Sequence, residues 1–363
     1  MIGLTISVLL SESGLKVCIL EKGICGSESS WAGAGILSPP QCNPNSGPVE
    51  KFRSFSIRGM KAFSNELLQK TGIYNGYYQS GSWEILDENI SNQLATDAWD
   101  CEGIEWERFY PAEIKRIELN LVCTRNLVYR LPGKSQIRNP WHLKALRTRA
   151  KQLGVVIREN EPATGWIRNN SIITSVTSTF ANYPCSLSIL CSGCWASGLA
   201  SNLGLVLPVS PVKGQMVLFK TIPGLLTSIV EQGKKYLVPR QDGRILCGST
   251  EEHTGFSKIN TSEGIQELKF WAFSLVPKLL NAEVEKIWAG LRPSSPDGSP
   301  FIGPIAEFPN ILLATGHFRS GIQLSWGTAE LIRQFITGSN KNFDWKPFHL
   351  SRPFGPLHKL FHN

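Results

Sequence analysis

Residues 288–323 read WAGLRPSSPDGSPFIGPIAEFPNILLATGHFRSGIQ, and the reading of the whole chain turns on them. Arg292 and Arg319 stand here among apolar and glycine-rich residues, outside any charge run. Arg292 precedes a proline and the turn formers Ser294 to Pro300, which places it at the end of a strand. Ile311 to Thr315 is a short buried-strand pattern that breaks at Gly316 into a turn and then a helix. Such a junction lets backbone approach a ligand closely, with helix amides directed at negative charge. Spacing alone also fits a buried strand pair whose arginines are ordinary ion-pair partners.

The chain around this stretch has 363 residues, 42% of them hydrophobic, enough for two domains with a sizeable core. Its net charge of +8 is spread along the chain. A nucleic-acid partner calls for clustered Lys and Arg with aromatics between them, and no such cluster occurs. Nine cysteines at irregular spacing argue against a secreted disulfide framework and for a reducing, cytoplasmic setting. The one CxxC, Cys191 to Cys194, ends an apolar strand pattern, and no second pair or clustered His supports zinc. No apolar run reaches the length of a membrane span, and MIGLTISVLL lacks the basic start and cleavage site of a signal peptide.

Gly3 to Gly14 is expected to be a helix, followed by a parallel-type strand Val17 to Leu20 that ends in Glu21. An acidic residue there accepts hydrogen bonds from a ribose in dinucleotide folds. The small residues Ser29, Ser30, Gly33, Ala34 and Gly35, before Ile36, would let backbone pass close to a pyrophosphate or a flavin ring. Lys51 to Lys70 carries a helical apolar stripe, residues 77–86 form a strand, and the stretch to about 128 forms a separate α+β excursion with Trp99, Trp106 and Phe109 in its core or rim. A helix from Gln136 to Arg149 and a strand Val155 to Ile157 return to the first domain. A hairpin turned at Asn169-Asn170 and a buried strand Ser186 to Cys191 follow. MVLFK, KYLVP and RILCGS are strand patterns, Thr328 to Phe335 is a closing helix, and the tail with His349, His358 and His362 reads as a surface end without a metal tract.

In order and spacing, W-A-G-L-R-P, D-G-S-P-F-I-G and A-T-G-H-F-R-S-G-I resemble the flavin-dependent D-amino-acid oxidase superfamily, and most nearly its glycine oxidases of thiazole and thiamine biosynthesis. The resemblance runs through almost the whole chain. It implies an α/β, two-domain FAD-dependent oxidoreductase of the glutathione-reductase and D-amino-acid-oxidase type. A Rossmann-like cofactor domain would be assembled from residues 1–75, 136–206 and 286–345. An α+β substrate domain with an antiparallel sheet would come from 76–135 and 207–285, with 346–363 as a tail. Cofactor contacts fall on Met1, Ile2, Gly3, Glu21, Lys22, Ser29, Ser30, Ala34, Gly35 and Ile36. They continue at Ala163, at the Gly193–Trp195 junction, and at His317, Phe318, Arg319, Ser320, Gly321, Ile322 and Gln323. One departure stands out. Of the G-x-G-x-x-G fingerprint only Gly3 is present, without the first strand, so the natural protein is expected to begin roughly 13 to 20 residues earlier.

The implied reaction is oxidation of a small α-amino acid by FAD, with O2 reduced to H2O2. Arg292 would grip the substrate carboxylate, with the Tyr236 hydroxyl as second donor and Arg319 lining both flavin and substrate. Superfamily members that attach flavin covalently use a cysteine in the C-terminal cofactor segment; no cysteine follows Cys247 here, so the resemblance implies non-covalent flavin. The resemblance also implies a homo-oligomer, a tetramer. Sarcosine or D-amino-acid oxidation is an alternative within the superfamily. A non-catalytic remnant that cannot hold FAD is an alternative outside it, and the oxidase domain of a tRNA-modifying enzyme is a third.

Overall fold

In the computed structural model the helix Pro48–Thr71 forms one wall of the main core. A proline in its first turn and Gly72, left-handed at φ +69°, set its two ends. Its apolar stripe of Phe52, Met60, Phe63 and Leu67 packs with residues of the helices Ile2–Glu12, Asn139–Gln152 and Ser325–Thr337. The structure describes residues 1–123, 125–339 and 343–354. His358 and His362 lie outside them.

The parallel strands that these helices cover form two pieces. Cys18–Leu20 pairs with Val156–Arg158, and Ser188–Leu190 pairs with Phe308–Thr315, which in turn takes Phe301–Ile305 antiparallel. Among the described residues neither Cys18–Leu20 nor Ser188–Leu190 has a partner on its other side, and both border one cavity. The sheet of the Rossmann-like cofactor domain that the resemblance implies is therefore divided. The hairpin at Asn170 (φ +53°) and the strand Asn182–Pro184 form a separate three-stranded meander.

An eight-stranded sheet makes the second body. It combines strands from residues 82–131 with strands from 210–294. An antiparallel sheet was expected, but one junction is parallel: Ile229–Gln232 beside Ser82–Glu84. The two strands come from distant segments with no hairpin between them, so connection geometry does not impose antiparallel pairing. The expected strand at 77–86 is two short ones, broken at Gly81 with φ +65°. Glu283–Ser294 pairs along its length with Ser210–Lys220, so Arg292 stands on the large sheet.

The tail was expected to be a surface-packing, partly mobile end, and its described residues, 346–354, are anchored at two points. Phe348 is fully buried against Phe52, with ring centroids 4.9 Å apart. Arg352 forms a bidentate pair with Asp297, Nε to Oδ2 2.9 Å and Nη2 to Oδ1 2.9 Å, the two side chains 7% and 9% exposed. Asp297→Ala leaves that guanidinium buried without its counter-charge, a loss expected to cost about 3–5 kcal/mol in urea unfolding. Burial pushes the Asp297 carboxyl up, but the hydrogen bonds and charge of Arg352 outweigh it and hold the group below its ordinary value. The stabilisation is thus complete above the unfolded carboxylate value, about 3.9, and is lost as pH falls through the lower folded value. The slope of stability against pH in that acid range should flatten in Asp297→Ala.

No helix among the described residues is long and apolar enough to cross a membrane.

Candidate active site

Between the divided parallel strands and the large sheet lies a cavity of about 1440 Å³. Drug-sized sites run to roughly 1,000 Å³, so there is room for a larger ligand. Every residue named from the sequence as a cofactor or substrate contact borders it. They come from both bodies, and four short segments carry most of them.

The first segment, Ser29 to Ile36, is held by its carbonyls. Asn139 donates to Ser30 O (3.0 Å) and Gly33 O (2.7 Å), Trp288 Nε1 to Ala32 O (3.1 Å), and Arg240 Nη2 to Ala34 O (2.6 Å). The Ile137 amide donates to Gly35 O at 2.8 Å. Gly35 has φ +77°, and a Cβ there would sit 2.0 Å from Ile137 O, so backbone runs where no side chain fits. Ser29 Oγ donates to Leu291 O, and the Met1 backbone nitrogen donates to Ser30 Oγ at 2.9 Å. Ile2 and Gly3 follow at the start of their helix on the same wall.

The second segment begins at Glu21, half-buried, whose Oε1 accepts from the Gly23 amide at 3.0 Å. Lys22 lies over the Trp195 ring, its Nζ 3.3 Å from the centroid, and pairs with Glu28 at 3.4 Å. Trp195 closes the third segment, where Gly193 (φ +54°) offers its carbonyl to Thr315 Oγ1 at 3.1 Å. Ala163 starts the neighbouring strand. Burial pushes both Cys191 and Cys194 up to about 12, and no metal-ligating group of three or more occurs among the described residues.

The fourth segment is the turn after Phe308–Thr315. His317 is buried with Nε2 3.0 Å from Thr328 Oγ1, and burial pushes it down to about 3, so it is neutral at physiological pH. Phe318 takes a left-handed φ of +46°, and Gln323 donates to Ser320 Oγ at 3.0 Å. Gly321 and Ile322 complete the turn. Arg319 is engaged across the cavity mouth, with Nη1 3.4 Å from Glu251 and Nη2 3.4 Å from Lys234 O, while Lys234 also pairs with Glu251 at 2.7 Å.

Facing these segments, cross-strand pairing sets one row of side chains over the large sheet: Trp288, Met216, Gly248, Tyr236, Glu231 and Glu84. The buried Tyr236 hydroxyl lies 3.5 Å from Met216 Sδ. Arg292 spreads over Gly214, where a Cβ would stand 2.2 Å from Nη2. It donates to Ser249 Oγ (2.5 Å), Thr250 O (3.2 Å) and Lys213 O (3.4 Å). Burial first, then the charge of Arg319, pull its pKa down, while Tyr236 and Glu251 oppose them. Among the described residues no carboxylate comes within ion-pair distance of Arg292.

Asn139, Trp288 and Arg240 escaped sequence reading, because each acts on backbone carbonyls far away in the chain. Only the N-cap-like N-P of Asn139-Pro140 was a local signal, and it points to a helix start.

The two-body architecture and a cleft floored by glycine-rich backbone define a dinucleotide-dependent oxidoreductase. The chain belongs to the DAO family of FAD dependent oxidoreductases, whose model matches residues 1–335. It is 32% identical to a glycine oxidase of Pseudomonas aeruginosa, over 96% of this chain and 95% of the relative. It is also 32% identical to a bifunctional protein ThiO/ThiG of Synechocystis, over 92% of this chain and 50% of that one. The crystal structure of glycine oxidase from Geobacillus kaustophilus superposes with a TM-score of 0.90 at 29% identity, covering 98% of this chain and 96% of that chain.

The residues present fit FAD, the family's cofactor. The cavity has the volume, the Gly35 turn brings bare backbone to its wall, and Ser192 Oγ and Asn139 Oδ1 are buried there or beside it without hydrogen-bond partners.

Proposed function

We propose that this enzyme oxidises glycine or another small α-amino acid whose carboxylate is held by Arg292. The observation that carries the reading is a guanidinium on the cavity wall, facing a tyrosine hydroxyl, with no carboxylate in ion-pair distance among the described residues. An arginine fork offers a carboxylate two parallel charge-assisted bonds, and the Tyr236 hydroxyl adds a third donor. Arg319, already shared with Glu251, closes the mouth of the same compartment. Holding a substrate in one orientation supplies several kcal/mol of barrier lowering.

FAD, when bound, supplies the two-electron oxidation of the amine to an imine, with O2 reduced to H2O2. Toward it, Glu21 keeps Oε2 for a ribose hydroxyl while Oε1 holds the turn at Gly23. Ser29, Ser30 and the Ala34–Ile36 backbone would flank the pyrophosphate and ring, and the Lys22–Trp195 pair would cover one side. The backbone from His317 to Gln323 would direct amides at negative charge. With no cysteine after Cys247, the hold is non-covalent. The resemblance read from the motifs supports a role in supplying thiamine biosynthesis, and nine free thiols fit a reducing, cytoplasmic setting.

One observation favours a second reading. The cavity continues from Tyr236 past Glu231 to the apolar residues Leu86, Ile90, Leu94 and Trp99, which would suit sarcosine or a D-amino acid larger than glycine. Peroxide release by the flavin-loaded protein with glycine, sarcosine, D-alanine and D-proline decides between them. The highest kcat/KM is expected with glycine. A protein that carries flavin but releases no peroxide with any of the four would rule out both readings.

A further inference from the structure

Arg240 stands one residue beyond the strand Lys235–Pro239, at the join between the two bodies. It is 9% exposed, and no carboxylate pairs with it among the described residues, since the neighbouring Asp242 takes Arg138 and Arg244. Its guanidinium instead donates to three oxygens on the other body: Gln136 Oε1 at 2.8 Å, Ile137 O at 3.2 Å and Ala34 O at 2.6 Å. A buried cation held only by carbonyl and amide dipoles costs free energy that surface placement would avoid. Of these three acceptors Ala34 lines the cavity, and Gln136 and Ile137 stand behind that wall. Ala34 directly precedes Gly35, and Ile137 is the residue whose amide holds Gly35 O.

The other end of the link is Tyr236. Along a strand, residues two and four apart share a face, so Tyr236, Val238 and Arg240 project to one side. Tyr236 and Val238 pack in one buried cluster with Ala34, Met216, Ile229 and Leu246. Apolar packing of this kind sets contact but leaves sliding cheap, because it is non-directional. The three hydrogen bonds of Arg240 are directional and fix the register.

We propose that Arg240 is a positioning residue: it locks the strand that carries Tyr236 to the Ala34–Ile36 segment, and so sets the spacing between the substrate end and the cofactor end of the cavity. The spacing has a use only on the reading of the site given above. A displacement of about 1 Å at a reacting centre is worth on the order of 100-fold in rate. Arg292 is untouched by the change and only the Tyr236 donor is displaced, so carboxylate binding should weaken far less than kcat.

Arg240→Met keeps the apolar length of the side chain and removes the fork. Three readouts test the proposal: amide hydrogen exchange of residues 30–37, kcat with the best amino acid, and the affinity for acetate followed through the flavin absorbance. Exchange in 30–37 is expected to speed up at least tenfold and kcat to fall about 100-fold, while acetate affinity falls by less than about tenfold, the share of the single Tyr236 hydrogen bond. Unchanged exchange or unchanged kcat in a folded Met variant overturns the proposal, and so does an acetate affinity that falls in step with kcat. If the Met variant does not fold, Arg240→Lys carries the test, since an ammonium reaches fewer of the three oxygens. A several-fold lower kcat with acetate affinity kept is then expected, and wild-type behaviour in all three readouts overturns it. A wild-type protein that neither binds acetate nor oxidises amino acids defeats the functional reading, whereas the exchange of residues 30–37 still tests the lock by itself.

Discussion

Arg292→Ala should raise the KM for an amino-acid substrate on the order of 30- to several-thousand-fold while the flavin content stays that of the parent protein. The range corresponds to the 2–5 kcal/mol typical of removing one partner from a buried charge-assisted pair. Among the described residues the side chain forms no ion pair, and its bonds go to Ser249 Oγ and two carbonyls. The loss should therefore appear in substrate handling and not in folding. Arg292→Lys should be impaired as well, because a point-like ammonium cannot present two parallel donors to a carboxylate. Steady-state kinetics on flavin-loaded variants measures both. An unchanged KM in Arg292→Ala would remove Arg292 from the substrate site and reopen the question of what the cavity holds.

Gly35→Ala should yield a protein that purifies largely without flavin and unfolds at lower urea, by about 2–4 kcal/mol. Two costs add. Alanine is strained at φ +77°, and its methyl would overlap Ile137 O, which lies 2.0 Å from the Cβ position. Relief requires the segment to leave Ile137 and Arg240, and that movement spoils the wall that FAD would lie against. The flavin-to-protein absorbance ratio and the urea midpoint report the two effects separately. Full flavin content at wild-type stability would show that Ala34–Ile36 is not a cofactor wall.

These two residues differ in how far the sequence alone announces them. Arg292 stands before a proline and a cluster of turn formers, and a strand end follows from that local chemistry without any knowledge of the fold. The same holds for Ile311 to Thr315 and Gly316, observed as the strand Phe308–Thr315 and a glycine at φ +74°. The run of small residues from Ser29 to Gly35 marks close backbone approach, because only small side chains permit it. Hydrophobic period, turn residues and small-residue runs are local quantities, and they placed the individual elements; the class of fold and most of the residues around the cavity came from the resemblance of the ordered motifs to the D-amino-acid oxidase superfamily.

What the local signals do not contain is which distant groups meet. Arg240, Asn139 and Trp288 hold the Ser30–Ala34 carbonyls, and a carbonyl oxygen looks the same at every position in a chain. Arg319 meets Glu251 only because the turn after Phe308–Thr315 folds over the end of the strand Arg244–Gly248. Phe348 looks like part of a loose tail until Phe52, nearly 300 positions earlier, supplies the pocket that buries it. The parallel junction of Ile229–Gln232 with Ser82–Glu84 likewise depends on two segments that share no turn. In each case the deciding energy comes from a contact between residues far apart in sequence, which exists only once the chain has folded.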